Sequence, residues 1–356
     1  MLLLLAQRLL KRQGTVYPIH PLWPPRKPAP KGDSVMQTRR LGNTDLQFSR
    51  IGLGTWALGG GDWTFSWGAQ DDAQSVETVC RALDLGVNWI DTAPVYGLGH
   101  SEEVVGKAIK GMSVKPLIAT KCERCWDKDR KIYPCLKRES IRAEAEASLR
   151  RLGTDVIDLY QIHWPQPDAD LEEGWATVAE LVREGKVRYA GVSNFSLAQL
   201  QRIEPIHPVA SLQPPYSMIT RGVEAELLPY CHDHYIGVIV YSPMQKGLLT
   251  GKVTPQWVAQ LPANDHRRND PQFQPPRLAA NIELAEGLRR LAEVHGRTAS
   301  QAAVAWVLRR PEVTAAIVGA RKPSQIEETI PAAGWQLSPK DLAVVDGLLE
   351  RRRCVG

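Results

Sequence analysis

Eight short apolar runs recur between residues 50 and 320, most of them followed by a stretch with helical periodicity. They are "RIGLGTW", "NWIDTA", "PLIATKC", "DVIDLYQIHW", "VRYAGVSN", "VASLQPPYS", "GVIVYSP" and "TAAIVGA". Runs that are apolar on both faces are buried strands, and strands joined through helices lie parallel. Amphipathic segments fill the intervals, among them "DAQSVETVCRALDLG", closed by Gly86, and "SEEVVGKAIKG", with Ser101 as the expected N-cap. Eight such units over about 280 residues match the size of a (β/α)8 barrel. A doubly wound sheet would need GxGxxG between its first strand and helix, and "GLGTWALGGGDW" does not supply it. The expected fold is α/β, a TIM barrel over residues 36–356. An N-terminal β-hairpin around Gly42-Asn43, extra C-terminal helices and a long loop after the seventh strand (252–299) elaborate it.

Residues 1–35 differ in kind. They carry Arg8, Lys11, Arg12, Arg26, Lys27 and Lys31 against Asp33, which accounts for the whole net charge of +5. Two readings stay open: an upstream stretch outside the true protein, with Met36 as the start, or a disordered, weakly basic tail. The opening leucines are too few to span a bilayer, and the charges follow them as no secretory signal allows. Residues 36–356 hold as many acidic as basic side chains, which argues against a nucleic-acid surface. Six cysteines scattered at 80, 122, 125, 135, 231 and 354 do not form a disulfide framework. Cys122-x-x-Cys125 with Cys135 lacks a second pair or a histidine at ligand spacing. Reduced thiols, no metal and a cytoplasmic location are expected.

Function in such a barrel sits at the C-terminal ends of the strands. The second strand ends in Asp91, with Tyr96 in its loop, the third in Lys121 and the fourth in His163. The fifth ends in Ser193-Asn194, the sixth in Gln213, the seventh in Tyr241-Ser242 and the eighth in Gly319-Ala320-Arg321. Each alone has an ordinary explanation, as turn former, solvated strand end or core histidine; polar ends on every one of these strands do not. Asp91, Tyr96, Lys121 and His163 make chemical sense together. A lysine near a phenol lowers its pKa, a carboxylate holds the lysine charged, and an imidazole orients a carbonyl. Such a site protonates a carbonyl oxygen without a metal, and its partner reaction is hydride delivery from a nicotinamide or flavin.

"IDTAPVYG", "SEEVVGKAI", "ATK", "DLYQIHWP", "GVSNF", "QPPYS", "YSPMQKGLLTGK" and "GARKPSQIEE" resemble the aldo-keto reductases in order over residues 37–350. "HWP" and "GARKPSQ" look most like the bacterial stress-protein and inositol-utilisation branch. The resemblance implies NADP(H) bound without a Rossmann fold, Tyr96 as general acid, Lys121 as its modulator, Asp91 as the partner of Lys121, and His163 as the substrate-orienting residue. It implies Ser193, Asn194 and Gln213 at the nicotinamide carboxamide and Tyr241 stacked on the ring. Ser242, Met244, Lys246 and Leu248 would follow the pyrophosphate. Gly319, Arg321 and Gln325 would hold the adenosine phosphate, with Glu328 at the adenine. A helix starting near Ser324 adds N-terminal amides at the same place. Thr329 departs from the asparagine common in the family. Arg267 and Arg268 are further cofactor candidates. Trp56, Trp89, Trp126 and Trp164 are candidate pocket walls; Trp56 and Trp164, at strand ends, are favoured, with core packing expected for the others.

The leading expectation is an NADPH-dependent reductase of aldehydes and ketones, reversible on the matching alcohols. Alternatives are a cofactor-binding redox-sensing subunit and a sugar or cyclitol dehydrogenase working oxidatively. The partner is a small carbonyl or alcohol; the oligomeric state is open.

Overall fold

A computed structural model describes residues 36–353, and the expectations for residues 1–35 and Cys354 lie outside them. The chain opens with a hairpin, β1 (Thr38–Arg40) against β2 (Gln47–Ser49), turning through Gly42 at φ +51°. Then β3 (Ile51–Gly54) leads to α1 (Asp72–Asp84). The Asp71 side chain caps α1 by accepting from the Gln74 amide, and Gly86 at φ +91° ends its turn.

After β4 (Trp89–Asp91), α2 (His100–Ile109) is capped by Gly99, not Ser101. Ser101 lies within the helix, where its hydroxyl donates to the Thr55 carbonyl at 3.0 Å. Burial against that loop took precedence over the capping role that its sequence position suggested.

The order continues β5 (Leu117–Cys122), a second hairpin of β6 (Arg124–Trp126) and β7 (Ile132–Pro134), and α3 (Arg138–Leu152). It runs on through β8 (Ile157–Ile162), α4 (Leu171–Arg183), β9 (Val187–Ser193), α5 (Leu197–Ile203), β10 (Ser211–Gln213), α6 (Leu227–Asp233) and β11 (Gly237–Val240). A long connection carries the short α7 (Pro255–Ala259) before α8 (Arg277–Glu293) and α9 (Ala299–Leu308). Then come β12 (Val313–Gly319), α10 (Pro323–Thr329) and α11 (Pro339–Arg353).

The eight expected strands close into one parallel barrel in the order β10-β11-β12-β3-β4-β5-β8-β9. The protein is a (β/α)8 TIM barrel. Among the described residues no helix is long and apolar enough to cross a membrane.

Strand side chains alternate between faces, so residues two apart share the interior. Trp89, Leu117, Ala119, Leu159, Ile239, Ala315 and Ile317 form one buried apolar cluster there, and Leu41, Leu46 and Phe48 of the hairpin complete it. Phe48 stacks on Trp89 with centroids 4.4 Å apart, and the indole donates to the Ser49 carbonyl at 3.0 Å. Trp89 is therefore core, as expected. Its ring lies across Gly52, where a Cβ would sit 2.1 Å from the indole; only glycine fits. Two residues further along the same strands stand Asp91, Lys121 and Gln161, followed by the strand-end loops.

Candidate active site

The strand-end loops surround a cavity of about 1300 Å³. It is lined by Asp91, Tyr96, His163, Ser193, Asn194, Gln213, Tyr241, Ser242, Met244, Lys246, Gly319, Arg321, Gln325 and Glu328, and by both favoured tryptophans, Trp56 and Trp164. Trp126 does not line it. Leu248 is the exception among the expected cofactor residues: its side chain packs with Val253, Phe273 and Leu278. Only its main chain remains for a ligand.

Lys121, buried behind the cavity wall, organises one end. Its Nζ donates to Asp91 Oδ1 at 2.7 Å, to the Thr92 carbonyl at 2.9 Å and to the Tyr96 hydroxyl at 3.4 Å. Gln213 Nε2 donates to the other Asp91 oxygen at 2.8 Å and to Gln161 Oε1 at 3.2 Å. The Tyr96 and His163 rings meet edge to face with centroids 5.8 Å apart. The four expected residues are thus brought together by β4, β5, β8 and the loop after β4.

Lys121 does not bring the Tyr96 phenol below its usual pKa. Burial, and then the charge of Asp91, push the phenol well above its usual value. The ammonium sits 2.7 Å from the carboxylate and 3.4 Å from the phenol, so it meets the phenol as one half of an ion pair. Burial also lowers Lys121, against the upward effect of Asp91. His163 lies well below the usual histidine range through burial, then the charges of Lys121 and Arg124. The site therefore presents a protonated phenol and a neutral imidazole around neutral pH, suited to giving a proton and a hydrogen bond to a carbonyl oxygen.

The next loops form a continuous polar edge. Asn194 Nδ2 donates to the His163 carbonyl at 2.9 Å, and Tyr241 donates to Asn194 Oδ1 at 2.8 Å. Asn194 (φ +64°), Ser242 (+55°) and Lys246 (+56°) adopt the left-handed conformation, which is costly for residues other than glycine; at Asn194 these two bonds hold it. Lys246 pairs with Asp270 at 2.7 Å. Glu328 accepts from Lys252 at 2.5 Å and from Ser300 at 2.9 Å. Thr329 bonds back to the Gln325 and Ile326 carbonyls.

Arg321 does not stand free. Its Nε donates to Gln70 Oε1 at 2.7 Å, and its Nη atoms donate to the Trp67 and Ala69 carbonyls. The loop after β3 is thereby fastened to the start of α10. Arg267 is sandwiched between Trp67, at 4.5 Å, and Trp257, at 4.9 Å. Arg268 donates to the Leu261 carbonyl at 3.0 Å and does not line the cavity.

Sequence reading missed several lining groups: Trp63, Phe65 and Trp67 after β3, Arg124, Lys131 and Ile132 from the second hairpin, and Trp257 and His266. Two of these residues carry buried polar atoms without a hydrogen-bond partner among the described residues, Trp67 Nε1 and His266 Nε2. An aromatic face at Tyr241, amides at Asn194 and Gln213, and cations at Lys246, Lys252, Arg267 and Arg321 give the cavity the donor set of a dinucleotide site.

Comparison with known proteins agrees. The sequence profile described as the Aldo/keto reductase family matches residues 50–350. The aldo-keto reductase YhdN of Bacillus subtilis is 41% identical over 318 residues, covering 88% of this chain and 94% of that protein. The NADH-specific methylglyoxal reductase of Escherichia coli is 36% identical over 324 residues, 87% of this chain and 97% of its own length. Among solved structures, the glycerol dehydrogenase AKR11B4 of Gluconobacter oxydans superposes with a TM-score of 0.81 at 40% identity, covering 90% of this chain and 97% of that one. This chain belongs to the aldo/keto reductase family, oxidoreductases of carbonyl and alcohol groups that bind nicotinamide cofactors.

Proposed function

We propose that the protein is an NADP(H)-dependent reductase of aldehydes and ketones, with Tyr96 as the proton donor to the carbonyl oxygen. One observation carries the reading: the Tyr96 phenol meets Lys121 Nζ at 3.4 Å and faces His163 across 5.8 Å at the cavity wall. When bound, the reduced nicotinamide supplies hydride to the carbonyl carbon. Tyr96 gives its proton to the oxygen, and the neutral His163 orients that oxygen. Lys121, kept charged and aimed by Asp91, steadies the negative charge that grows on the phenol oxygen as the proton leaves.

On this reading Ser193, Asn194 and Gln213 hold the carboxamide, and Tyr241 stacks on the ring. Ser242, Met244, Lys246 and the main chain at Leu248 follow the pyrophosphate. Gly319, Arg321, Gln325 and Glu328 receive the adenosine. The orphaned Trp67 Nε1 and His266 Nε2 support a polar ligand in this cleft. The choice of NADP(H) rests on Arg321, which has five N–H donors and engages three of them on the loop.

The test is NADPH oxidation by the full chain across a panel of aldehydes, beside Tyr96→Phe. Turnover by the wild type, a loss of about 10²–10⁴ in kcat for the variant and unchanged NADPH binding are expected. Tight NADPH binding with no carbonyl reduced by either protein would overturn the reductase and favour the sensing subunit.

A further inference from the structure

The second hairpin puts a cation beside the reacting groups that neither the tetrad nor the cofactor residues use. Arg124 opens β6, three residues beyond Lys121, and lines the cavity. Its guanidinium lies 5.6 Å over the Trp164 ring, and Nη2 donates to the neutral Gln166 Oε1 at 3.0 Å. Lys131 also lines the cavity, from the turn at the far end of the hairpin, next to Ile132 of β7.

The other acidic lining groups are already matched. Asp91 is bound by Lys121 and Gln213, Asp270 by Lys246, and Glu328 by Lys252. Among the acidic groups of the described residues, Glu123 approaches Arg124, its Oε2 3.4 Å from Nε, but its side chain is fully buried and does not line the cavity. The Oε2 that faces Nε also accepts the Trp164 amide at 3.1 Å, and burial pushes the Glu123 carboxyl up to about 8 against the pull of Arg124, so Glu123 balances the guanidinium only in part. Arg124 is also close enough to His163 to depress its pKa. The walls around it are apolar: Trp56, Trp63, Val95 and Trp164.

We infer that the cavity selects carbonyl substrates that carry a carboxylate, which Arg124 grips with help from Lys131 while the carbon chain lies against Trp56, Trp63 and Trp164. A planar guanidinium beside an indole offers two parallel N–H groups to a carboxylate, and the partly desolvated position strengthens them. This inference names the substrate class of the reductase proposed above and rests on that reading.

The test uses a matched pair, 4-oxobutanoate and its methyl ester, which share the aldehyde and differ in charge. For the wild type, kcat/KM for the acid should exceed that for the ester by about 10-fold or more, the range of one charge-assisted hydrogen bond. In Arg124→Gln the ratio should collapse towards one through the KM of the acid, with its kcat held within about 3-fold. Arg124→Lys should retain part of the preference, and Lys131→Gln should reduce it by a smaller factor. A ratio near one in the wild type, or a full preference surviving in Arg124→Gln, overturns the inference while leaving the reductase intact.

Calorimetric binding of butanoate separates the two readings. Roughly 10-fold weaker binding to Arg124→Gln supports the anion site even if no carbonyl is turned over. Equal binding to both proteins removes it even if the ester is reduced well.

Discussion

Lys121 and Asp91 form a fully buried ion pair at 2.7 Å, supplied by neighbouring strands of the barrel. A buried charge stripped of its partner costs about 3–5 kcal/mol unless it neutralises. Asp91→Asn should therefore lower unfolding stability by up to that amount and leave Lys121 largely neutral, with kcat falling at least about 10²-fold because Tyr96 loses its charged neighbour. Denaturant unfolding and single-turnover kinetics on the same samples check both halves. A stable variant with near-normal kcat would show that the pair is only structural.

The protonation states make the pH profile broad. The raised Tyr96 stays protonated as pH climbs, and the depressed His163 stays neutral as pH falls. The kcat/KM for reduction should show no limb belonging to either group between about pH 6 and 9. Profiles for the wild type and His163→Gln over that range settle the point; an acid limb that vanishes in the variant would contradict it.

Arg321, at the start of the loop between β12 and α10, joins the cavity wall to the loop after β3 through Gln70, Trp67 and Ala69. Arg321→Ala should lower the NADPH-to-NADH ratio of kcat/KM by about 10-fold or more, since the lost guanidinium is a phosphate group's strongest partner. It should also loosen the loop. Cofactor titrations by fluorescence and hydrogen exchange across residues 61–70 read the two effects separately.

Glu123 and Glu144 couple the fold to pH. Burial pushes their carboxyls up to about 8 and about 7. The Glu123 amide donates to Glu144 at 3.0 Å, and Glu123 accepts the Trp164 amide at 3.1 Å. The folded state holds protons that the unfolded chain releases near pH 4.5, so stability should fall as pH rises from about 5 to 8 and level off beyond. Glu144→Gln should flatten that fall, sparing about 2–4 °C of Tm at pH 8.5 relative to pH 5.5. Thermal melts across that window test it; parallel curves for the two proteins would refute it.

Gly52→Ala places a methyl 2.1 Å from the Trp89 indole, in a layer already filled by Phe48. Overpacking of this kind costs about 1–3 kcal/mol, and denaturant midpoints should show it. Trp89→Leu in the same chain should recover part of the loss, which a purely local strain at residue 52 would not allow.

The barrel was legible because its strands are buried on both faces, so each leaves an unbroken apolar run whose end marks the working rim. The same logic located Asp91, Lys121, His163 and Gln213, which are strand-end residues. The second hairpin was hidden: β6 and β7 have three residues each, none of them buried, around a highly charged turn, and nothing in "RCWDKDRKIYP" separates them from a loop. Arg124 and Lys131 were missed with it. Trp67, Trp257 and His266 come from segments about 190 residues apart, joined where Ser66 donates to the Asn264 carbonyl at 2.7 Å. No local pattern encodes that meeting. Gln161 reads as part of a strand, and only closure of the barrel brings it to Gln213.

The interior of the barrel has two storeys drawn from the same strands: Trp89, Ala119 and Leu159 below, and Asp91, Lys121 and Gln161 two residues above them. The lower storey fixes the height and spacing at which the upper groups stand, much as a floor fixes the bench on which reagents are set out. Chemistry and foundation occupy alternate positions on single strands, so the upper set can be exchanged by point changes while the floor keeps the geometry in which any replacement must work.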